Sequence, residues 1–316
     1  MILVCFDMAR EIPRTLQSLS RTYQLGAQAL EYEVLLVDNG SPVPPDPKSW
    51  EDIDVPVRMI RMDNATTSPS PAINRGLAEA QGEIICYMCD AAHMLTPGVF
   101  RMALAAYKAF ANAVVAIRYF YLGPEEQTLS VSQGYNKAAE DGLLQRIDWP
   151  RDGYRLFEIG TPLRQGARLA NWMNRIGETN CLFLRRSLFI DLGGADERFD
   201  LPGGGFVNMD IFKRASEAAG VTLLQIIGEG SFHQLHGGIT TNSRGETRQN
   251  TLESYRENYR AIRGHDTLLA DARVFHMGHL PTPASNITAR DRRRARAAGK
   301  LGPQVNAVAG VPEEER

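Results

Sequence analysis

Four short segments of this sequence carry the residue types that could do chemistry. In YMCDAAHMLTPG, Tyr87 to Gly98, Asp90 ends an apolar run and His93 follows three residues later, before a turn closed by Pro97. An acid at the carboxyl end of a strand is where an α/β fold gathers its ligand chemistry. The pattern reads either as a metal and phosphate site with an uncommon ligand set or as a plain strand end. A second acid, Asp38, ends the run YEVLLVDNGS and is followed by Asn39. A third, Asp210, opens a helical pattern just after GGGFV and Asn208. A helix N-terminus carries unpaired N–H groups and partial positive charge, which keeps such an acid ionised and able to take a proton from a hydroxyl. The same dipole would favour an acid there in an inert protein. Finally, SFHQLHGG brings His233 and His236 after an apolar run, and its glycines let backbone approach a ligand closely.

The elements that must position these residues alternate between strand and helix signals over residues 1 to about 116. ILVCF is a continuous apolar run, the mark of a strand covered on both faces. The next segment has Pro13 where a first helical turn tolerates it, then Leu16, Leu19 and Tyr23 at helical spacing. YEVLLVDNGS and the weaker PVRMIRM read as strands. SPAINRGLAEAQG reads as a helix stopped by Gly82. EIICYM delivers Asp90, PGVFRMALAAYKAFANA is a helix, and AVVAIRYFYL is a strand. This βαβ alternation argues a mostly parallel sheet with helices on both faces. From Gly123 to Asn180 the periodicity weakens, and short helices and loops are expected. TNCLFLRRSLFIDLGG returns to strand and helix, NMDIFKRASEAAG is a helix, and VTLLQIIGEGSFHQLHGG starts as a strand. TLESYRENYRAIR is amphipathic, with Leu252, Tyr255, Tyr259 and Ile262 on one face. After Pro281 apolar anchors become sparse, and Arg290, Arg292, Arg293, Arg294, Arg296 and Lys300 form a basic cluster that reads as a solvated tail, with a nucleic-acid or acidic-lipid contact as the sharper alternative.

Composition narrows the classes. A net charge of −2 supplies no global field toward nucleic acid or membrane. The first apolar run, Met1 to Phe6, is too short for a signal peptide, and no stretch approaches the roughly 20 apolar residues of a membrane span. Four scattered cysteines read as buried thiols in a reducing compartment, so a cytoplasmic location is expected. Cys86 and Cys89 have CxxC spacing, but an extended strand sends them to opposite faces and no second pair exists. The turn FDMAREIP lacks the glycines of a dinucleotide-binding fingerprint, which argues against a dehydrogenase or methyltransferase.

Taken in order, VCFDMAREIPRTLQSL, EVLLVDNGS, PAINRGLAEAQGEIICYMCDA, ETNCLFLRRSLFIDLGGADERF and GGGFVNMDIFKRASEAAG resemble the family 2 glycosyltransferases of the GT-A fold, over roughly residues 2 to 240. The resemblance implies a nucleotide diphosphate-sugar donor, UDP-sugar favoured, lying across the carboxyl ends of the first strands. It implies donor contacts from Phe6, Asp38, Asn39, Asn74 and Asp90, with Asp38 at the base and Asp90 as the first acid of the metal-binding DxD motif. It divides the chain into a nucleotide-sugar-binding half, 1–122, an acceptor-binding and catalytic half, 123–280, and a basic tail, 281–316. The acceptor is a glycan, lipid, peptide or small metabolite, and no nucleic acid is expected as partner.

Two departures from the family pattern shape the expectations. Aligning Pro97 with the family's proline puts the DxD at Asp90, Ala91 and Ala92, so the second acid is an alanine. A divalent cation, Mn²⁺ or Mg²⁺, then draws on Asp90 with His93, His233 or His236, and imidazole favours Mn²⁺. The alternative is no metal. The second departure is the family's Glu-Asp-x-Asp, which here reads Val207, Asn208, Met209, Asp210. Asparagine cannot take a proton, so Asp210 is left as candidate base for inversion, while Asn208 as a sugar-binding amide suits retention. A GT-A protein that only binds a sugar nucleotide or partner is the rival reading.

Overall fold

The computed structural model describes residues 1–165, 167, 169–238 and 245–285. Strand β1 (Ile2–Cys5) is wholly buried and leads to α1 (Ile12–Leu19), with Pro13 in its first turn. β2 (Val34–Asp38) and β3 (Val57–Arg61) follow, then α2 (Ser70–Glu79) returns the chain to β4 (Ile84–Met88). A three-residue strand, β5 (His93–Leu95), precedes α3 (Val99–Ala109) and the long β6 (Ala113–Leu122). Where the sequence periodicity loosens come α4 (Gln127–Ser132), α5 (Lys137–Ile147), α6 (Leu156–Ile159) and β7 (Gly160–Pro162). β8 (Leu182–Arg185), α7 (Arg186–Asp191), α8 (Val207–Glu217), β9 (Thr222–His233), α9 (Gly245–Arg263), β10 (Val274–Gly278) and α10 (Thr282–Ser285) complete the described chain.

The strands form one mixed, mostly parallel sheet in the order β10-β9-β6-β8-β4-β1-β2-β3, with β5 on β9 and β7 on β6. The pairs β1–β2, β1–β4, β2–β3, β6–β9 and β9–β10 are parallel, whereas β8 runs antiparallel between β4 and β6. Side chains alternate across each strand. Leu3 and Cys5 therefore join Ile12, Leu16, Leu19 and Val99 on one face. Ile2 and Val4 join Ile73, Leu77, Phe189, Ile211 and Phe212 on the other. Both faces are covered, and this is why the central strands read as unbroken apolar runs. β1 has β2 on one side and β4 on the other, so the chain order reverses at β1. A crevice opens there at the carboxyl ends of the strands.

Two backbone devices shape that crevice. Along β6–β9 the register passes from Ile117↔Ile226 to Arg118↔Gly230, so Ile227, Gly228 and Glu229 bulge out of β9. The buried Glu229 anchors the bulge by accepting from Thr96 Oγ1, the Gly98 N–H and Tyr154 Oη. The run Gly203, Gly204 and Gly205 has φ of 75°, 78° and 55°, a left-handed conformation that L side chains rarely adopt. A Cβ on Gly204 would also sit 2.8 Å from Pro69, so glycine is required there.

Several sequence expectations need correction. His93 does not lie in a turn but in β5, directly opposite His233 in the antiparallel β5–β9 pair. β7 and β10 were not anticipated. α2 ends at Glu79, because Ala80 is already extended, ahead of Gly82. The chain beyond Pro281 does not at once become a tail: Ala284 is fully buried and its carbonyl accepts from Trp172 Nε1. The basic cluster Arg290 to Lys300 lies outside the described residues. Among the described residues no helix is long and apolar enough to cross a membrane.

Candidate active site

The crevice is a cleft of about 620 Å³, within the usual size range of small-molecule sites. Phe6, Asn39, Asp90, Asn208, His233 and His236 all line it, at the ends of β1, β2, β4 and β9 and at the start of α8. Asp90 sits just past β4 and accepts the Ala92 N–H at Oδ1, 2.7 Å. Its other oxygen, Oδ2, faces His233 Nε2 at 3.2 Å and His236 Nε2 at 2.9 Å, and the two Nε2 atoms are themselves 2.9 Å apart. His93 closes the group from behind. Asp90, His93 and His233 can offer ligand atoms that lie within 4.8 Å of one another. The His93 ring meets those of His233 and Tyr119 edge-on, and its Nδ1 lies 2.8 Å from Ser231 Oγ.

Burial and charge set the protonation of this cluster. Burial would raise the Asp90 carboxyl, but His236 and His233 draw it well below the usual carboxylate range. Burial holds His93 well below the ordinary imidazole value, with His233 adding to the effect. Burial likewise lowers His233, against the pull of Asp90. For His236 burial lowers the value, yet Asp90 outweighs it and the net shift is upward. Two imidazoles that stay neutral and one carboxylate offer lone pairs, which is what a cation needs. Buried His93 Nε2 and His233 Nδ1 have no hydrogen-bond partner, so the donor set has spare capacity. The residues present fit a divalent cation.

The location of His236 is fixed from outside the cleft. The Leu235 N–H donates to Glu140 Oε2 at 2.8 Å, and Arg10 Nη1 donates to the Leu235 carbonyl at 3.3 Å. Arg10 in turn pairs with Glu11, Glu140 and Asp141. The backbone just before His236 is thus held from both sides by α5 and by the turn into α1.

The same geometry explains the missing second acid. Ala91 and Ala92 are fully buried in the core under α1. The Ala91 N–H donates to the Val4 carbonyl, and the Gln234 N–H donates to that of Ala92. A carboxylate at 92 would point into this core, and the histidines of the β9 end stand where the ligands are needed.

Three expected site residues lie elsewhere. Asp38 is fully buried, does not line the cleft, and is taken up by the Ser41 N–H and by Arg61. Asn74 pins α2 to the loop after α7 through both Ala195 backbone groups and Glu197. Asp210 is 1% exposed. Arg214 Nε reaches its Oδ2 at 2.7 Å, and Arg263 Nε and Nη2 grip its two oxygens at 2.6 and 2.8 Å. Its carboxylate is spent on tying α8 to α9, and no acceptor hydroxyl can reach it. Asn39 and Asn208 do reach the cleft, and each keeps an unpartnered buried Oδ1. The cleft also holds Glu178, Asn180 and Tyr119, for which no role was read from the sequence. Glu178 opens the segment ETNCLFLRR, and an acid just ahead of a buried strand was the available signal.

The profile of glycosyl transferase family 2 matches residues 1–192. The chain belongs to that family. No curated protein sequence matches it. Among solved structures, Staphylococcus aureus TarS 1-349 in complex with UDP-GlcNAc shares the fold at 14% identity with a TM-score of 0.50, covering 94% of this chain and 72% of that one. TarS 1-349 in complex with UDP aligns at 13% identity and a TM-score of 0.48, covering 84% of this chain and 66% of that one, just under two thirds of its length. The sheet described above is the GT-A, Rossmann-like sheet, shared with the UDP-GlcNAc complex of TarS.

Two substitutions test this placement. Ala92→Asp, which would restore the acid of the family motif, should cost at least about 3 kcal/mol in chemical denaturation because it buries an unpaired charge. It should not strengthen Mn²⁺ binding. Asp210→Asn should cost roughly 3 kcal/mol, since it removes the buried anion shared by Arg214 and Arg263 and leaves Arg263 only Asp196, and the loss should appear in melting rather than in nucleotide affinity.

Proposed function

We propose that this family 2 glycosyltransferase moves a sugar from a nucleoside diphosphate-sugar, with UDP as the favoured nucleotide, to an acceptor hydroxyl, and that a divalent cation assists. The observation that carries this is the meeting of Asp90 Oδ2 with His233 and His236 Nε2 inside the cleft at the strand ends. The UDP and UDP-GlcNAc held by the TarS structures support the choice of nucleotide.

Asp90, His233 and His236, with His93 behind them, would hold the cation. Carboxylate plus imidazole suits Mn²⁺ better than Mg²⁺, which prefers oxygen ligands. When bound, such a cation neutralises charge gathering on the departing diphosphate. Phe6 is 53% exposed at the end of β1 and offers a face for the base to stack on. The free Oδ1 of Asn39 can accept from base or ribose, and its amide hydrogens are already held by the Thr66 and Ser68 carbonyls. Asp38 acts one step back, shaping the Asn39–Ser41 turn through Ser41 and Arg61. The Oδ1 of Asn208 can accept from a sugar hydroxyl. Residues 1–122 would then supply most of the nucleotide wall and 123–280 most of the acceptor side, with His233 and His236 crossing that division. Four free cysteines, three of them buried, suit the reducing cytoplasm.

The test is release of UDP from a panel of UDP-sugars by the purified protein with Mn²⁺, and its loss with EDTA. A protein that binds UDP but turns over no donor would leave the binding-only reading standing. His233→Ala and His236→Ala should each weaken Mn²⁺ binding by more than about tenfold in calorimetry.

The pH dependence has a defined sign. His236 is raised above its ordinary value, so at neutral pH a proton competes with the cation for its Nε2. Mn²⁺ affinity should climb as pH rises through that raised value, above the usual 6.5 or so. Without metal the sign reverses: the His236–Asp90 pair stabilises the fold below the unfolded imidazole value and loses that contribution as pH rises through the folded one. Melting with and without Mn²⁺ between about pH 6 and 8.5 reads both trends.

A further inference from the structure

With Asp210 locked between two arginines and Asn208 unable to take a proton, the cleft still needs a group to receive the acceptor's hydrogen. We propose that Glu178 is this base, a role that rests on the donor reading above and assigns the acceptor side of the same cleft. Glu178 lines the cleft together with Asp90, Tyr119, Asn180 and Asn208. Asp90 is committed to His233 and His236, and Glu178 carries no ion pair among the described residues.

Its placement is rigid. The next residue, Thr179, donates through Oγ1 to the Ile117 carbonyl at 2.6 Å and accepts the Cys181 N–H. Asn180 Oδ1 accepts the Cys89 N–H at 2.8 Å, which ties the segment to the strand end that carries Asp90. On the other side, Gln165 accepts the Gly177 N–H and donates to the Glu178 carbonyl. Among the described residues the side chain has a single polar partner, Asn208 Nδ2, at 3.5 Å from Oε2. This contact is weak enough to yield to a substrate hydroxyl and leaves the other oxygen open. Asn208 therefore acts as a positioning residue for Glu178, and its own Oδ1 stays available to the sugar. Burial also raises the Glu178 carboxyl above the usual glutamate value, against the pull of Asn208. That moves it toward the neutral range in which a base is effective.

The step balances without a further reactant. The acceptor oxygen forms a bond to the anomeric carbon as the carbon–oxygen bond to the diphosphate breaks. The electron pair of that bond leaves on the nucleoside diphosphate. The acceptor proton passes to a Glu178 oxygen and is lost to solvent when product departs. A single displacement of this kind inverts the anomeric centre.

The experiment uses the full chain with Mn²⁺ and whichever UDP-sugar the wild type turns over, water or an added alcohol serving as acceptor. Glu178→Gln should slow UDP release by about 10²–10⁴-fold while UDP affinity by calorimetry and the melting temperature stay near wild type. Glu178→Asp, which keeps a carboxylate on a shorter arm, should retain more rate than Glu178→Gln. Glu178→Ala with sodium azide should regain UDP release and form the glycosyl azide, read by mass spectrometry, because azide has no proton to lose. Near-normal release by Glu178→Gln overturns the base role. Failure of azide to restore any Glu178 variant, or loss of UDP affinity in all three, makes the residue structural and overturns it as well. A wild type inert toward every UDP-sugar would instead remove the donor reading and this proposal with it.

Discussion

The site depends on one strand being paired on both edges and broken at one place. β9 runs parallel to β6 and, past its bulge, antiparallel to β5. Without the three bulged residues the register of Ile117↔Ile226 would continue, and Tyr121 would face Gly230 rather than His233. The bulge advances β9 just far enough to bring His233 beside His93 and above Asp90. Its cost is a buried carboxylate, Glu229, that needs three donors. Thr96, Gly98 and Tyr154 supply them from the start of α3 and from the turn before α6. The histidine-bearing end of the strand is therefore set by hydrogen bonds made some residues away from it.

Electrostatics then separates the carboxylates by role. Asp90 is held ionised by two imidazoles, and Asp210 is gripped by two guanidiniums, whereas Glu178 among the described residues has one amide as its partner. Asp90 and Glu178 lie next to strand ends and Asp210 in the first turn of α8. Their partners suit the first to a cation, the second to accepting a proton, as proposed above, and the third to bracing helices. A carboxylate fixed by two arginines is a poor base because a proton would have to displace a bidentate ion pair.

Much of the frame was legible because continuous apolar runs and helical spacing report burial directly. AVVAIRYFYL reads as the strand Ala113–Leu122 from its composition, whereas only the start of β9 does, its second half being polar and glycine-rich. β5 escaped because three residues are too few for a period, and its pairing with β9 joins positions more than a hundred residues apart. The site was legible in type and only partly in place. Asp90, His233 and His236 stood out as acid and histidines next to strand ends, and the fold brings them together. Asp38 has the same strand-end signature, Asp210 that of a helix start and Asn74 only the family resemblance, yet their side chains are claimed by Arg61, by Arg214 and Arg263, and by Ala195 and Glu197. Those partners are distant in sequence, with the exception of Arg214, so local pattern could not reveal them. Glu178 escapes for the converse reason: an acid just ahead of a buried strand is a weak local signal, and its character comes from the cleft.

The two ends of the altered Asn-x-Asp motif, Asn208 and Asp210, are linked through α9. Arg263 of α9 pairs with Asp210 and with Asp196, and Tyr255 of the same helix lines the cleft beside Gly205 and Asn208. Tyr255 Oη also donates to the Pro202 carbonyl, which fixes the entry to the glycine run. An acid at 210 committed to Arg263 thus braces the wall on which Asn208 sits. Once that acid is structural, a proton acceptor has to come from another element. The segment 177–180 is stitched to β6 and to the end of β4 through Thr179 and Asn180. A base on that segment, as proposed above, is anchored by the sheet, whereas a base at 210 would have to break the arginine brace that holds it.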